Sequence, residues 1–146
     1  MPETNRLPIV ERYIDQQLVT AYSHASGDHN PIHLDLEFAS SSQFGQIVAH
    51  GMLTLAFVSQ MLVLEFGCHW LETGGLKIRF KGPAYLGDTV VTRGHVVRQQ
   101  ERDGLWQVDC RVGLDNQNGN ELISGTASVW LPYSVLESVE NAGVES

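Results

Sequence analysis

Basic residues are scarce in this 146-residue chain: Lys and Arg number 9 against 17 Asp and Glu, giving a formal charge of -8. A field of that sign repels a phosphate backbone and argues against a nucleic-acid partner. Cysteine is nearly absent as well. Cys68 and Cys110 lie far apart and form no CxxC pair, so neither a zinc cluster nor a disulfide framework is available, and both read as small apolar residues. No uninterrupted apolar run is long enough to cross a bilayer. The richest stretch, Met52 to Phe66, is broken by Thr54, Ser59, Gln60 and Glu65, and at about 1.5 Å per residue a helix there falls short. The N-terminal MPETNRLPIV lacks a basic segment followed by an apolar one, so no secretory signal is read and the expected compartment is cytoplasmic. No repeat period or low-complexity block occurs.

What is present suits one domain with a real core: 42% of residues are hydrophobic and 18% are charged. A single domain is expected over residues 1–132, followed by an acidic, flexible tail over 133–146. Leu7 to Ile14 reads as a first strand. Asp15 then caps a short helix carrying Leu18, Val19 and Tyr22 and ending at Ser26-Gly27. Gly27 and Asn30-Pro31 break that helix, and Asp35 can cap a new short one over Leu36 to Ser40. Met52 to Phe66 follows, with eleven apolar residues in fifteen, a helix without a polar face that needs cover on all sides. Cover is expected from four strands: Leu76 to Lys81, Thr89 to Arg98, Trp106 to Leu114 and Leu122 to Leu131. Val90, Thr92, Gly94, Val96 and Arg98 fall on one face of theirs, as do Trp106, Val108, Cys110, Val112 and Leu114. The expected class is α+β, with an antiparallel sheet wrapped around a buried helix.

Asp28, Asn30 and His33 in one tight loop, followed by His50-Gly51 at the start of the apolar helix, are the residues suited to chemistry. At neutral pH a carboxylate is ionised and an imidazole, with pKa about 6.5, can give or accept a proton, so the two together can hold and activate one water. Gly27 and Pro31 let the loop fold back far enough for both to reach it. The first amides of a helix have no internal partner and carry the positive end of its dipole; at Gly51 no side chain blocks the approach of a substrate carbonyl. Enolate charge developing on that oxygen would be stabilised more than the neutral ground state. His29 and His33, four apart, could suggest a metal pair with Asp28 or Asp35, but Pro31 spoils the helical register it needs. No metal is expected.

YSHASGDHNPIHLDLEFA, from Tyr22 to Ala39, together with AHGML, from Ala49 to Leu53, resembles the signature of the MaoC-like (R)-specific enoyl-CoA hydratase and 3-hydroxyacyl dehydratase family. The resemblance implies the hotdog fold. It also implies a catalytic dyad of Asp28 and His33 with Asn30 in support, an oxyanion-hole N–H from Gly51, and a site-lining Ser59. The implied reaction is reversible addition of water to a trans-2-enoyl-CoA, giving a (3R)-3-hydroxyacyl-CoA. No separate cofactor is implied, since the CoA or phosphopantetheine thioester belongs to the substrate. Two alternatives stay open: a dehydratase acting on carrier-protein-bound chains in fatty-acid or polyketide synthesis, and a noncatalytic hotdog subunit that binds acyl thioesters. A homodimer with a continuous sheet is implied, with a heterodimer of two hotdog subunits as the variant.

Other residues of interest carry plain structural readings beside the functional ones. Ser59 can bond back to a carbonyl one helical turn earlier, and Met52 and Met61 suit a core. Lys77, Arg79 and Lys81 alternate against Leu76, Ile78 and Phe80, which sets three positive charges on one strand face. They could attract the phosphates of CoA or phosphopantetheine, or simply solvate an edge strand.

Overall fold

A computed structural model of the chain describes residues 5–132; the expected tail over 133–146 lies outside the described residues. Two aspartates set the early helices. Asp15 accepts from the Leu18 N–H at 2.8 Å and opens α1 (Gln16–Ser26), which turns Val19 and Ser23 inward and ends at Gly27 with φ 80°, a left-handed backbone that a side chain would strain. Asp35 accepts from the Phe38 N–H at 3.2 Å and opens α2 (Leu36–Ser40). Between them Pro31–His33 forms a single 3-10 turn. Pro31 stands in its first turn, where a missing N–H removes no helical bond.

The long helix α3 (Gly51–Phe66) buries Leu53, Thr54, Phe57, Val58, Met61 and Leu62, pairs recurring every four residues that make one stripe. The stripe packs against the sheet in a core with Val90, Val112, Leu114, Ile123 and Val129. The other face stays open: Met52 and Leu64 are each 59% exposed. Cover on all sides, expected from the composition of α3, is therefore not supplied by the described residues. A single sheet shields one side of a helix about 10 Å across and leaves the far side to solvent or to another molecule. A second helix, α4 (Cys68–Thr73), starts after Gly67 and was not expected. It carries Trp70 into the core and leaves Cys68 exposed, so of the two cysteines only Cys110 behaves as an interior residue.

The sheet comprises β1 (Glu11–Tyr13), β2 (Gly75–Phe80), β3 (Thr89–Arg102), β4 (Leu105–Asp115) and β5 (Glu121–Pro132) in the order β1-β3-β4-β5-β2, every pairing antiparallel. β1 is shorter than the expected Leu7 to Ile14, with an isolated bridge from Arg6 to His95 ahead of it. β3 and β4 turn through Asp103 and Gly104, both at positive φ, 55° and 78°, the pair of angles a two-residue type I′ hairpin requires. Val108, Cys110, Val112 and Leu114 are buried, as their alternation predicts. The alternation of β3 breaks at Val97: a bulge between Val96 and Arg98 pairs Val96 with Cys110 but Arg98 with Asp109. One extra residue thus turns Arg98 away from the face of Val96, where simple alternation had placed it, and out to solvent. At the far edge, a Cβ on Gly125 would strike the backbone of Lys77 and Ile78. Its absence lets β2 lie close against β5 and brings Phe80, the last residue of β2, over the first turn of α3.

Candidate active site

The loop between α1 and α2 is shaped by its own side chains. The Asp28 carboxylate accepts from the Asn30 N–H at 3.1 Å, and the Asn30 side chain accepts from the Ile32 N–H, also at 3.1 Å. These are Asx bonds, a local alternative to helix that folds the chain back on itself. Asn30 acts here through its backbone on Asp28 and through its side chain on the 3-10 turn. That turn points His33 inward, 6% exposed, with Nδ1 2.6 Å from the Val48 carbonyl. A carbonyl can only accept, so Nδ1 carries the proton. In the neutral ring Nε2 then keeps its lone pair.

His50, the residue before α3, lies against this arrangement. It is 2% exposed and its ring stacks on that of His33 with centroids 3.7 Å apart and planes inclined by 24°. Its Nε2 lies 3.0 Å from Ser23 Oγ and 3.2 Å from the Asp28 carbonyl, and its Nδ1 is buried with no hydrogen-bond partner among the described residues. The Tyr22 ring meets it edge-on at 4.7 Å. Burial pushes the His50 imidazole below its ordinary range; the bond to the Asp28 carbonyl opposes this, the neighbouring His33 adds to it, and the Asp28 carboxylate opposes it.

Asp28, His33 and His50 each place a ligand-type atom within 4.8 Å of the others. A gap of that size between the Asp28 carboxylate and the His33 ring can hold one water. As a metal cage the trio fits poorly. Imidazole lone pairs lie in the ring plane, and two stacked rings direct them side by side, while His33 Nδ1 and His50 Nε2 are already engaged. His29, the other member of the metal pair considered from spacing, lies instead against His24 at 5.8 Å.

Gly51 begins α3, and no side chain caps that end. A Cβ at Gly51 would stand 3.3 Å from Phe80 Cε1, so the glycine admits both the ring and an approaching oxygen. A cavity of about 350 Å³ runs between Tyr22, Ser26, Asp28, His33, His50, Gly51, Met52 and Phe80. A second, of about 380 Å³, shares His33, Gly51 and Phe80 with it and has apolar walls from Ile32, Phe44, Val48, Ala49, Pro83 and Ala84. Phe80, 51% exposed, stands between the two.

The remaining sequence candidates separate. Ser59 is eight residues along α3 from Gly51, about 12 Å by helical rise, and its hydroxyl accepts from Trp70 Nε1 at 3.1 Å. Lys81 lines the second cavity and pairs with Glu121 at 2.7 Å, a bond that holds the Glu121 carboxyl below its ordinary range. Lys77 and Arg79 line a different cleft, of about 270 Å³, with Ser124, Gly125 and Thr126. The three cations therefore do not form one site. His50, named in the sequence only as the residue before Gly51, contacts both Asp28 and His33, and Ser23, which contacts His50, was not singled out from sequence. Ser23 had a signal: it is polar yet falls four residues after Val19, on the buried stripe of α1.

The lowered His50 value makes a prediction for stability. Between the folded value and the unfolded value of about 6.5, the unfolded chain binds a proton at this position that the folded chain does not. The contribution is therefore full above the unfolded value and is lost as pH falls through the window below it. Denaturant midpoints measured from pH 7.5 down to 5 should fall more steeply for the native protein than for His50→Gln; parallel curves would contradict it.

Residues 1–118 match the family described as MaoC like domain. An (R)-specific enoyl-CoA hydratase of Aeromonas caviae is 31% identical over 114 residues, 78% of this chain and 84% of that protein. A 3-hydroxybutyryl-CoA dehydratase of Methylorubrum extorquens is 27% identical over 113 residues, 76% of this chain and 72% of its own length. The solved structure of the R-hydratase PhaJ1 of Pseudomonas aeruginosa superposes with a TM-score of 0.76 at 26% identity, covering 88% of this chain and 81% of that one. The fold is accordingly the hotdog expected from the sequence. On these matches over most of its length, the chain belongs to the MaoC-like domain family.

Proposed function

We propose that the protein is a hydro-lyase that adds water reversibly to a trans-2-enoyl thioester, with CoA as the carrier and the (3R)-3-hydroxyacyl thioester as product. The observation that carries this reading is the meeting of the Asp28 carboxylate and the His33 imidazole within 4.8 Å, in a cavity shared with the uncapped start of α3 at Gly51. The hydratase and dehydratase relatives support the reaction class, and the proposed stereochemistry follows that of the (R)-specific hydratase.

In this scheme one water lies between the free Asp28 oxygen and His33 Nε2. His33 Nε2 takes a proton from it while the oxygen bonds to the β-carbon, and the double-bond electrons move onto the thioester oxygen, which the Gly51 N–H stabilises. His33 Nε2 then returns that proton to the α-carbon as the enolate collapses to the thioester, so that the elements of one water are added and His33 is again neutral. Asp28 holds the water and favours the imidazolium that forms at His33. Lys81, which lines the apolar cavity and pairs with Glu121, is the cation this scheme assigns to a substrate phosphate; Ser59 and the pair Lys77 and Arg79 have no part in it. No metal or redox group takes part. The exposed Cys68 thiol, left unpaired, suits a reducing compartment such as the cytoplasm.

A homodimer completes the proposal. The uncovered face of α3 and the outer edge of β2 both lack cover among the described residues, and a second copy joined edge to edge at β2 would extend the sheet across both protomers. Sedimentation at about twice 16.2 kDa is the expected result, and a monomer at micromolar concentration the contrary one.

The activity itself is tested by following hydration of short and medium trans-2-enoyl-CoA spectrophotometrically. Asp28→Asn and His33→Ala should each lower kcat by about 10²- to 10⁴-fold, with native turnover unaffected by chelators. Unchanged turnover in both variants would remove the dyad. A folded native protein inactive on CoA-linked and carrier-linked substrates alike would favour the noncatalytic subunit.

A further inference from the structure

We propose that His50 is a positioning residue, a buried imidazole that clamps the backbone carbonyl of Asp28 and stacks on His33, so that the two dyad residues face the same water. The proposal rests on the hydratase reading for its catalytic consequence and on geometry alone for the contacts. Asp28 comes from an exposed loop and His33 from a single 3-10 turn, neither of which has a rigid ladder of its own. His50 touches both: its Nε2 is 3.2 Å from the Asp28 carbonyl and its ring is 3.7 Å from that of His33.

The direction of the first bond fixes the chemistry of the ring. The Asp28 carbonyl can only accept, so His50 Nε2 carries the proton, shared with Ser23 Oγ at 3.0 Å, and the neutral ring leaves Nδ1 bare. That Nδ1 is buried without a partner among the described residues. Orphaned buried nitrogens are rare and destabilising, and a purely space-filling role would be met better by an apolar ring. Three titratable groups face His50: Tyr22 from α1, whose ring meets it edge-on at 4.7 Å, Asp28 from the loop, and His33 from the 3-10 turn. A second proton on His50 would find no acceptor at Nδ1 and would stand against any charge on His33. His50 therefore stays neutral while His33 takes up and releases the proton of the reaction.

Two measurements on the intact chain test this. Nitrogen-15 spectra of the imidazoles, recorded without substrate, should show His50 neutral at pH 7 with its proton on Nε2, and His33→Phe, which keeps a ring but removes the charge, should raise the pH at which His50 titrates. A proton on Nδ1, a charged His50, or no change in the His33→Phe variant would overturn the proposal, whatever the protein catalyses. In the hydration assay His50→Phe, which keeps a ring over His33 but cannot donate, should lose about 10²-fold in kcat with little change in KM. His50→Gln, whose amide can reach the Asp28 carbonyl, should recover a large part of that loss, and His50→Asn, whose shorter amide cannot, should not. If His50→Phe does not fold, the comparison of Gln with Asn carries the test. Native kcat in His50→Phe, a change confined to KM, or equal kcat in the Gln and Asn variants would each overturn it. Absence of hydration by the native protein would count against the hydratase reading and leave the spectra to decide the role of His50.

Discussion

The proton on His33 Nδ1 is held by the Val48 carbonyl across 2.6 Å, and much of the site depends on that bond. It chooses one of two tautomers that are close in energy for a free imidazole, and it leaves the Nε2 lone pair for the cavity rather than for the protein. Val48 is itself fixed by its own N–H, which donates to the Ile32 carbonyl at 3.2 Å, so the residue that orients His33 is tied to the turn that carries His33. Remove this loop of contacts and the ring could rotate its donor into the position where the proposed chemistry needs an acceptor.

The fold supplies the other half of the site from distant chain. The apolar stripe of α3 packs on the sheet and so fixes where the helix begins, with Gly51 beside the loop that carries Asp28 and His33. β2, held close to β5 by the absence of a side chain at Gly125, delivers Phe80 to the same place. The first half of the chain thus carries the polar groups, while the second half determines the walls and the depth of the space in front of them. In the proposed reading, selectivity for the acyl part belongs to residues such as Phe80, Pro83 and Ala84, and the hydration chemistry to residues 22–51.

Much of this was legible in the sequence because the local rules agree with one another. Asp15 and Asp35 stand where a cap is needed, and the alternation through Val108 and Leu114 survives folding. The GDHNPIH stretch was also readable, since its Asx bonds span only two residues each. What sequence did not yield depends on long-range contact. The bulge at Val97 answers to the partner strand, α4 begins only because Trp70 finds a place in the core, and His50 and Ser23 meet across 27 residues. The open side of α3 could not be anticipated either, because composition says that a helix wants cover without saying whether its own chain provides it.

A structure of the protein with a 3-hydroxyacyl-CoA bound tests the central claim most directly. The thioester oxygen should accept a hydrogen bond from the Gly51 N–H, and the 3-hydroxyl should lie between the Asp28 carboxylate and His33 Nε2. A ligand seated elsewhere, or one whose hydroxyl faces away from His33 Nε2, would contradict the account.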